Sequence, residues 1–197
     1  MRRQLTHPFL LACAVAATLA LPGRASADMV TNGGFETGDF SGWTQIGNID
    51  FNGVSCPGVG NALAGNCDAY FGPVGSTGGI VQTLSTVVGQ TVLISFDYAG
   101  DGGAPGSFQV DFGGQTLLAQ TNASAVTQSY SFSAVATATT SDLRFLFRDD
   151  SGFMTIDNVQ VAAVPEPASL ALFGVGLAVL VARRGRARTE ASAGCPA

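Results

Sequence analysis

Between residues 28 and 164 the chain carries twelve carboxylates and two arginines, Arg144 and Arg148, with neither lysine nor histidine among them. Acid–base and nucleophilic catalysis at neutral pH draw mostly on His, Lys and activated thiols or hydroxyls, so the usual bases are missing. One adjacent acid pair remains, Asp149-Asp150 in the run Phe147-Arg148-Asp149-Asp150-Ser151-Gly152. Neighbours on a strand point to opposite faces, whereas the two carboxylates of a glycosidase flank one bond. The pair therefore reads as a turn entering the last strand, and the protein as a non-enzyme. What the composition offers instead is oxygen. A net charge of −10 over this stretch repels nucleic acid and anionic lipid and presents carboxylates to divalent cations. The same acidity also serves solubility.

Two other residue types can do chemistry here. Cys56 and Cys67 close the loop CPGVGNALAGNC; two thiols without a histidine rarely suffice for zinc, and an oxidising compartment lets them pair. Aromatic rings can stack on a sugar. Tyr70 and Phe71 beside the cysteine loop, and Tyr98 before the Asp101-Gly102-Gly103 loop, are the stacking candidates, whereas Trp43, the single tryptophan, reads as core.

The elements that must position these residues are strands. Apolar and polar residues alternate in Ser107–Phe112, Ser129–Ser133 and Leu143–Arg148, the period of two that marks half-buried strands. Thr91–Tyr98 is nearly continuous in its apolarity and reads as a central strand. Glycines at 78–79, 89, 100, 102–103 and 113–114 cut the chain at strand-like spacing, and no window from 28 to 164 keeps a helical period. Short strands and glycine-rich turns over this length predict two packed antiparallel sheets, an all-β sandwich. Met154 and Ile156 share one parity while Val159 and Val161 share the other, which predicts a bulge near Asp157.

The flanks carry addresses. Arg2 and Arg3, an apolar run from Pro8 to Leu21 and the small-x-small Ala25-Ser26-Ala27 form a signal peptide over 1–27, so the mature chain begins at Asp28. Near the other end, Val164-Pro165-Glu166-Pro167 precedes an uncharged run over 168–182 and then Arg183, Arg184, Arg186 and Arg188. As a helix that run reaches about 22 Å, short of a hydrocarbon core of about 30 Å, and the arginines place its C-terminus inside. This tripartite tail, 164–188, resembles the PEP-CTERM sorting signal. The resemblance implies export, transient anchoring in the inner membrane by one short transmembrane helix, and recognition by an exosortase that cuts near Pro165-Glu166-Pro167 and delivers the domain to the cell surface or extracellular matrix. Residues 189–197 extend past the arginines as a cytoplasmic tail, a departure from the usual pattern.

The domain itself, 28–163, opens on Asn32-Gly33-Gly34-Phe35-Glu36 and Trp43 and closes on Ile156-Asp157-Asn158-Val159. These two motifs resemble the entry and last strand of carbohydrate-binding modules with the galactose-binding-like jelly-roll fold. The resemblance implies a jelly roll in which the first and last strand regions meet, so that Glu36 and Asp157 face one structural Ca²⁺. The bland alternative is that both carboxylates only bond turn backbone. The implied function is non-catalytic binding of polysaccharide; the alternative is a structural or adhesive matrix or biofilm protein with no sugar pocket.

Overall fold

The computed structural model describes residues 27–56 and 63–165, with Gly176 alone beyond them. The expected signal peptide, sorting helix, arginine cluster and terminal extension lie outside the described residues, apart from the start of the tail. Among the described residues no helix is long and apolar enough to cross a membrane.

Ten strands follow one another: β1 (Thr44–Gly47), β2 (Asn52–Ser55), β3 (Asp68–Phe71), β4 (Gly78–Ser85), β5 (Thr91–Gly100), β6 (Gly106–Phe112), β7 (Gln115–Thr121), β8 (Val126–Val135), β9 (Thr140–Asp149) and β10 (Met154–Ala163). They form two antiparallel five-stranded sheets, in the orders β1-β4-β9-β6-β7 and β2-β3-β10-β5-β8. Only β2-β3 and β6-β7 are sequential neighbours within a sheet; every other connection crosses over, as a jelly roll requires. The three alternating runs all fall inside strands, β6, β8 and β9. The continuous apolar run is β5, an interior strand next to the edge strand β8, while the middle of that sheet is β10. Its alternation is real: Val92, Ile94, Phe96 and Tyr98 face the core, and Leu93 is exposed.

Aromatic side chains from the two inner faces fill the space between the sheets. Phe71 of β3 stacks on Phe147 of β9 with centroids 4.1 Å apart, and Tyr98 of β5 stacks on Phe108 of β6 at 4.5 Å. Each fully buried Phe contributes about 1.5–3 kcal/mol by removal from water, and offset pairs add about 1 kcal/mol more.

Two features of β10 matter for the sites. Its register with β5 slips between Asp157 and Gln160, and Asn158 at the slip has a φ of 50°, so the bulge lies where the parity change predicts it. At its far end β10 meets the start of the domain. Met29 N donates to Val161 O at 2.8 Å, Asp28 Oδ1 accepts from Val161 N at 2.9 Å, and Val164 N donates to Thr91 O at 2.9 Å. The domain therefore begins beside the point where its sorting tail leaves.

Candidate binding face and cation sites

Glu36 and Asp157 come together around the cysteine loop. A Cβ placed on Gly34 would stand 3.8 Å from Asp157 Oδ1 and 3.8 Å from Glu36 Cγ, so the two side chains flank one point. Both are set by left-handed backbone beside them, Phe35 with a φ of 52° and Asn158 with a φ of 50°, a conformation unfavourable for a bulky residue such as Phe. Phe35 is fully buried and stacks on Trp43, which holds the strained turn in place. Trp43 is a core residue, its Nε1 donating to Asn32 O at 3.1 Å.

The carboxylates reach across to the loop closed by the Cys56–Cys67 disulfide, whose Cα atoms are 4.5 Å apart. Glu36 Oε1 accepts from the amides of Asn66 at 2.7 Å and Cys67 at 3.2 Å; Asp157 accepts from Ala64 N and Asn158 N, each at 2.6 Å. The disulfide contributes about 2–3 kcal/mol by restricting the unfolded chain, and it fixes the donors that these two acids use. The Asn66 and Cys67 amides hold the Glu36 carboxyl below its ordinary range. Burial does the opposite to Asp157, pushing it up to about 6 against the amides of Asn158 and Ala64, with Asp68 and Asp97 adding to the rise. No cation answers this charge from within the described residues, because Arg144 bonds Asp142 and Arg148 bonds Asp150 on the outer face of the other sheet. These amide bonds are the ones the bland alternative expects, while the oxygen-only donor set, with no cationic side chain beside it, also fits a hard cation. No third acid joins the pair among the described residues, so backbone carbonyls or water would complete the shell.

The stacking candidates divide by strand parity. Phe71 and Tyr98 point inward and are buried. Tyr70 points outward from β3, opposite Gly53 of β2, and a Cβ at Gly53 would stand 2.5 Å from Tyr70 Cζ. Glycine there lets the ring lie across the sheet. Phe153, in the β9–β10 loop, meets Tyr70 edge to face with centroids 5.5 Å apart and is 48% exposed. Phe51, 63% exposed, stands in the turn before β2, and its carbonyl accepts from Gly72 N. These rings gather at the end of the sandwich opposite Asp28. The sequence singled out Tyr70 but not Phe153 or Phe51.

Beyond Tyr70 the outer face of the same sheet is polar. Gln160 Nε2 donates to Asn158 Oδ1 at 2.8 Å, Asn158 Nδ2 donates to Asp97 Oδ2 at 3.1 Å, and Ser129 Oγ donates to Asp97 Oδ1. This chain crosses β10, β5 and β8 and offers the mixed donors and acceptors that sugar hydroxyls match. A shallow cleft of about 320 Å³ on the other sheet, lined by Asp111, Thr137, Ser141 and Arg144 among others, has no aromatic wall.

Residues 163–187 match the PEP-CTERM protein-sorting motif, so the chain carries the sorting signal of an exported protein at its C-terminal end. No curated protein matches the chain. Its fold is that of carbohydrate-binding modules. A family 61 module, TmCBM61, solved in complex with β-1,4-galactotriose, is 19% identical over 71% of this chain and 100% of its own, with a TM-score of 0.57. The CBM22-1 xylan-binding domain of Paenibacillus barcinonensis Xyn10C is 19% identical over 73% of this chain and 98% of its own, with a TM-score of 0.50. A part of the enzymatically active domain of the bacteriophage CBA120 tailspike protein 4 is also similar, at 17% identity and a TM-score of 0.51, over 70% of this chain but 21% of that one.

Proposed function

We propose that this exported jelly roll binds polysaccharide without catalysis, using Tyr70 and Phe153 as a stacking platform at the edge of the polar face of the sheet β2-β3-β10-β5-β8. The observation that carries the reading is the Tyr70 ring, lying against Gly53 and partly exposed beside the exposed Phe153. The exposed part of this ring and the Phe153 ring beside it offer an apolar surface for a sugar to stack on, and the Gln160-Asn158-Asp97-Ser129 chain supplies hydroxyl partners alongside them.

Saturable binding to the exopolysaccharide of the producing cells, or to one polysaccharide on a glycan array, is the expected result for the exported protein. Tyr70→Ala should weaken it about tenfold, from the loss of about 1–2 kcal/mol of stacking. Wild-type protein that binds no glycan, with deletion altering biofilm texture, would favour the structural or adhesive reading. Undiminished binding by Tyr70→Ala would remove the platform from it.

In the same reading Glu36 and Asp157 hold one structural Ca²⁺ that fastens the first turn to the bulge of the last strand. The tail passes the inner membrane transiently and is cut by an exosortase near Pro165-Glu166-Pro167, leaving the domain on the cell surface or in the matrix. Mass spectrometry of the surface fraction should find a chain starting at Asp28 and ending near Pro165–Pro167. Recovery there of an intact peptide spanning 168–183 would contradict the cut.

A further inference from the structure

A second group of oxygens sits at the opposite pole from Asp28, on residues that neither the sorting tail nor the stacking platform uses. Asp149, the last residue of β9, is 0% exposed, and its Oδ2 has no hydrogen-bond partner. The Tyr98 hydroxyl, on a side chain 1% exposed, has none either, and the carboxylates of Asp149 and Asp101 are close enough that both add to the burial that pushes it up to about 12. The backbone packed against Asp149 is glycine. A Cβ on Gly103 would collide with Asp149 Oδ1 and would stand 2.8 Å from Ser151 Oγ and 3.1 Å from Asp101 Oδ1, so oxygens of three residues, from two chain segments, converge on one small volume.

Asp101 is anchored for this position. Its Oδ1 accepts from Gly103 N at 2.8 Å and its Oδ2 from Phe153 N at 3.0 Å. Burial acts against its charge, but those amides and a bond from the Asp149 carboxyl hold it below its ordinary value, while burial and Asp101 push Asp149 up, so without a cation the pair shares a proton. A buried acid beside an ionised one must keep a proton or find a cation. Arg148, the nearest arginine in sequence, points to the other side of β9 and is doubly bonded to Asp150.

We propose that Asp101, Asp149 and Ser151 form a binding site for one divalent cation of the Ca²⁺ class, which ties the β5–β6 loop to the loop carrying Phe153. All the donors are oxygens, the preference of a hard cation, and water would complete the shell. Two carboxylates and a hydroxyl make a site of the weaker extracellular kind, with a dissociation constant of about 10⁻⁴–10⁻³ M. The inference stands on these residues and not on the polysaccharide reading.

The test counts the calcium bound by the exported protein at several millimolar CaCl₂, and follows tyrosine-excited Tb³⁺ emission, to which Tyr98 is the adjacent donor. Asp149→Asn and Asp101→Asn should each lower the calcium count by one and cut the emission several-fold, while Glu36→Gln leaves this part of the count in place. Asp101 is exposed, so its variant keeps the experiment valid if Asp149→Asn fails to fold. A count unchanged in both variants overturns the proposal, and a raised melting temperature for Asp149→Asn with that unchanged count would show that the pair shares only a proton.

Discussion

Adding a chelator to the exported protein is expected to lower its melting temperature, and the loss should grow with pH. A cation bound by Glu36 and Asp157 joins the native first turn to the native last strand and has no equivalent site in the unfolded chain, so its binding energy is folding energy. With free calcium at 100 times the dissociation constant the stabilisation is about 2.7 kcal/mol, on the order of 10 °C for a domain of this size. The pH dependence follows from Asp157, whose carboxyl is pushed from 3.8 to about 6 in the fold. In chelator that residue's contribution is fully present below pH 3.8 and is lost as pH rises through 6, a difference of about 3 kcal/mol. Calcium requires the ionised form and so reverses the trend over the same window. The melting curves with calcium and with chelator should thus converge near pH 4 and separate most at pH 7 to 8. Glu36→Gln and Asp157→Asn should each remove most of the gap, whereas Asp50→Asn, in the turn between β1 and β2, should not. Coincident curves at pH 7.5 would eliminate the site.

The largest loss of stability from a single core change is expected at Phe147→Ala. Its ring stacks on Phe71 at 4.1 Å and on Phe108 at 5.1 Å, touching strands of both sheets, and it is fully buried. Truncation leaves a cavity at the centre of the packing, where the backbone of two hydrogen-bonded sheets cannot collapse, and should cost about 3–5 kcal/mol. Phe147→Leu, which refills most of the volume, should cost less than half as much. Urea unfolding measures both; a loss below 1 kcal/mol for the alanine variant would mean that the stack is not the centre of the core. Tyr70→Ala, on the outer face, should scarcely move the same curve, which separates binding from folding at neighbouring positions.

How much of this was legible in the chain follows from burial. β6, β8 and β9 could be read because one face is wet and the other dry, which writes a period of two into Ser107–Phe112, Ser129–Ser133 and Leu143–Arg148. The bulge at Asp157 was legible for the same reason, as a change of parity. The four-residue strands β1 and β2, TQIG and NGVS, are too short and too little buried to write any pattern. Tyr70 and Phe71 are adjacent aromatics, and only the pairing of β3 with Gly53 of β2 decides which of them faces out. Tyr98 ends the alternation Ile94-Ser95-Phe96-Asp97-Tyr98, so its inward direction is written in the chain, with exposed Leu93 the one apolar residue on the outer face between Thr91 and Tyr98. The meeting of Asp101 with Asp149 depends on two loops 48 positions apart, and nothing local in either announces it.

β10 runs from the aromatic pole, where Thr155 pairs with Tyr70, to the pole where Val161 meets Met29 and the tail departs. A glycan held at the first pole and an envelope attachment at the second would pull the domain along that strand. The ladders of β10 with β3 and β5 lie across such a pull, since interstrand hydrogen bonds are perpendicular to antiparallel strands. Load then falls on many bonds at once in shear and does not unzip them one by one. The domain would serve as a tension-bearing link.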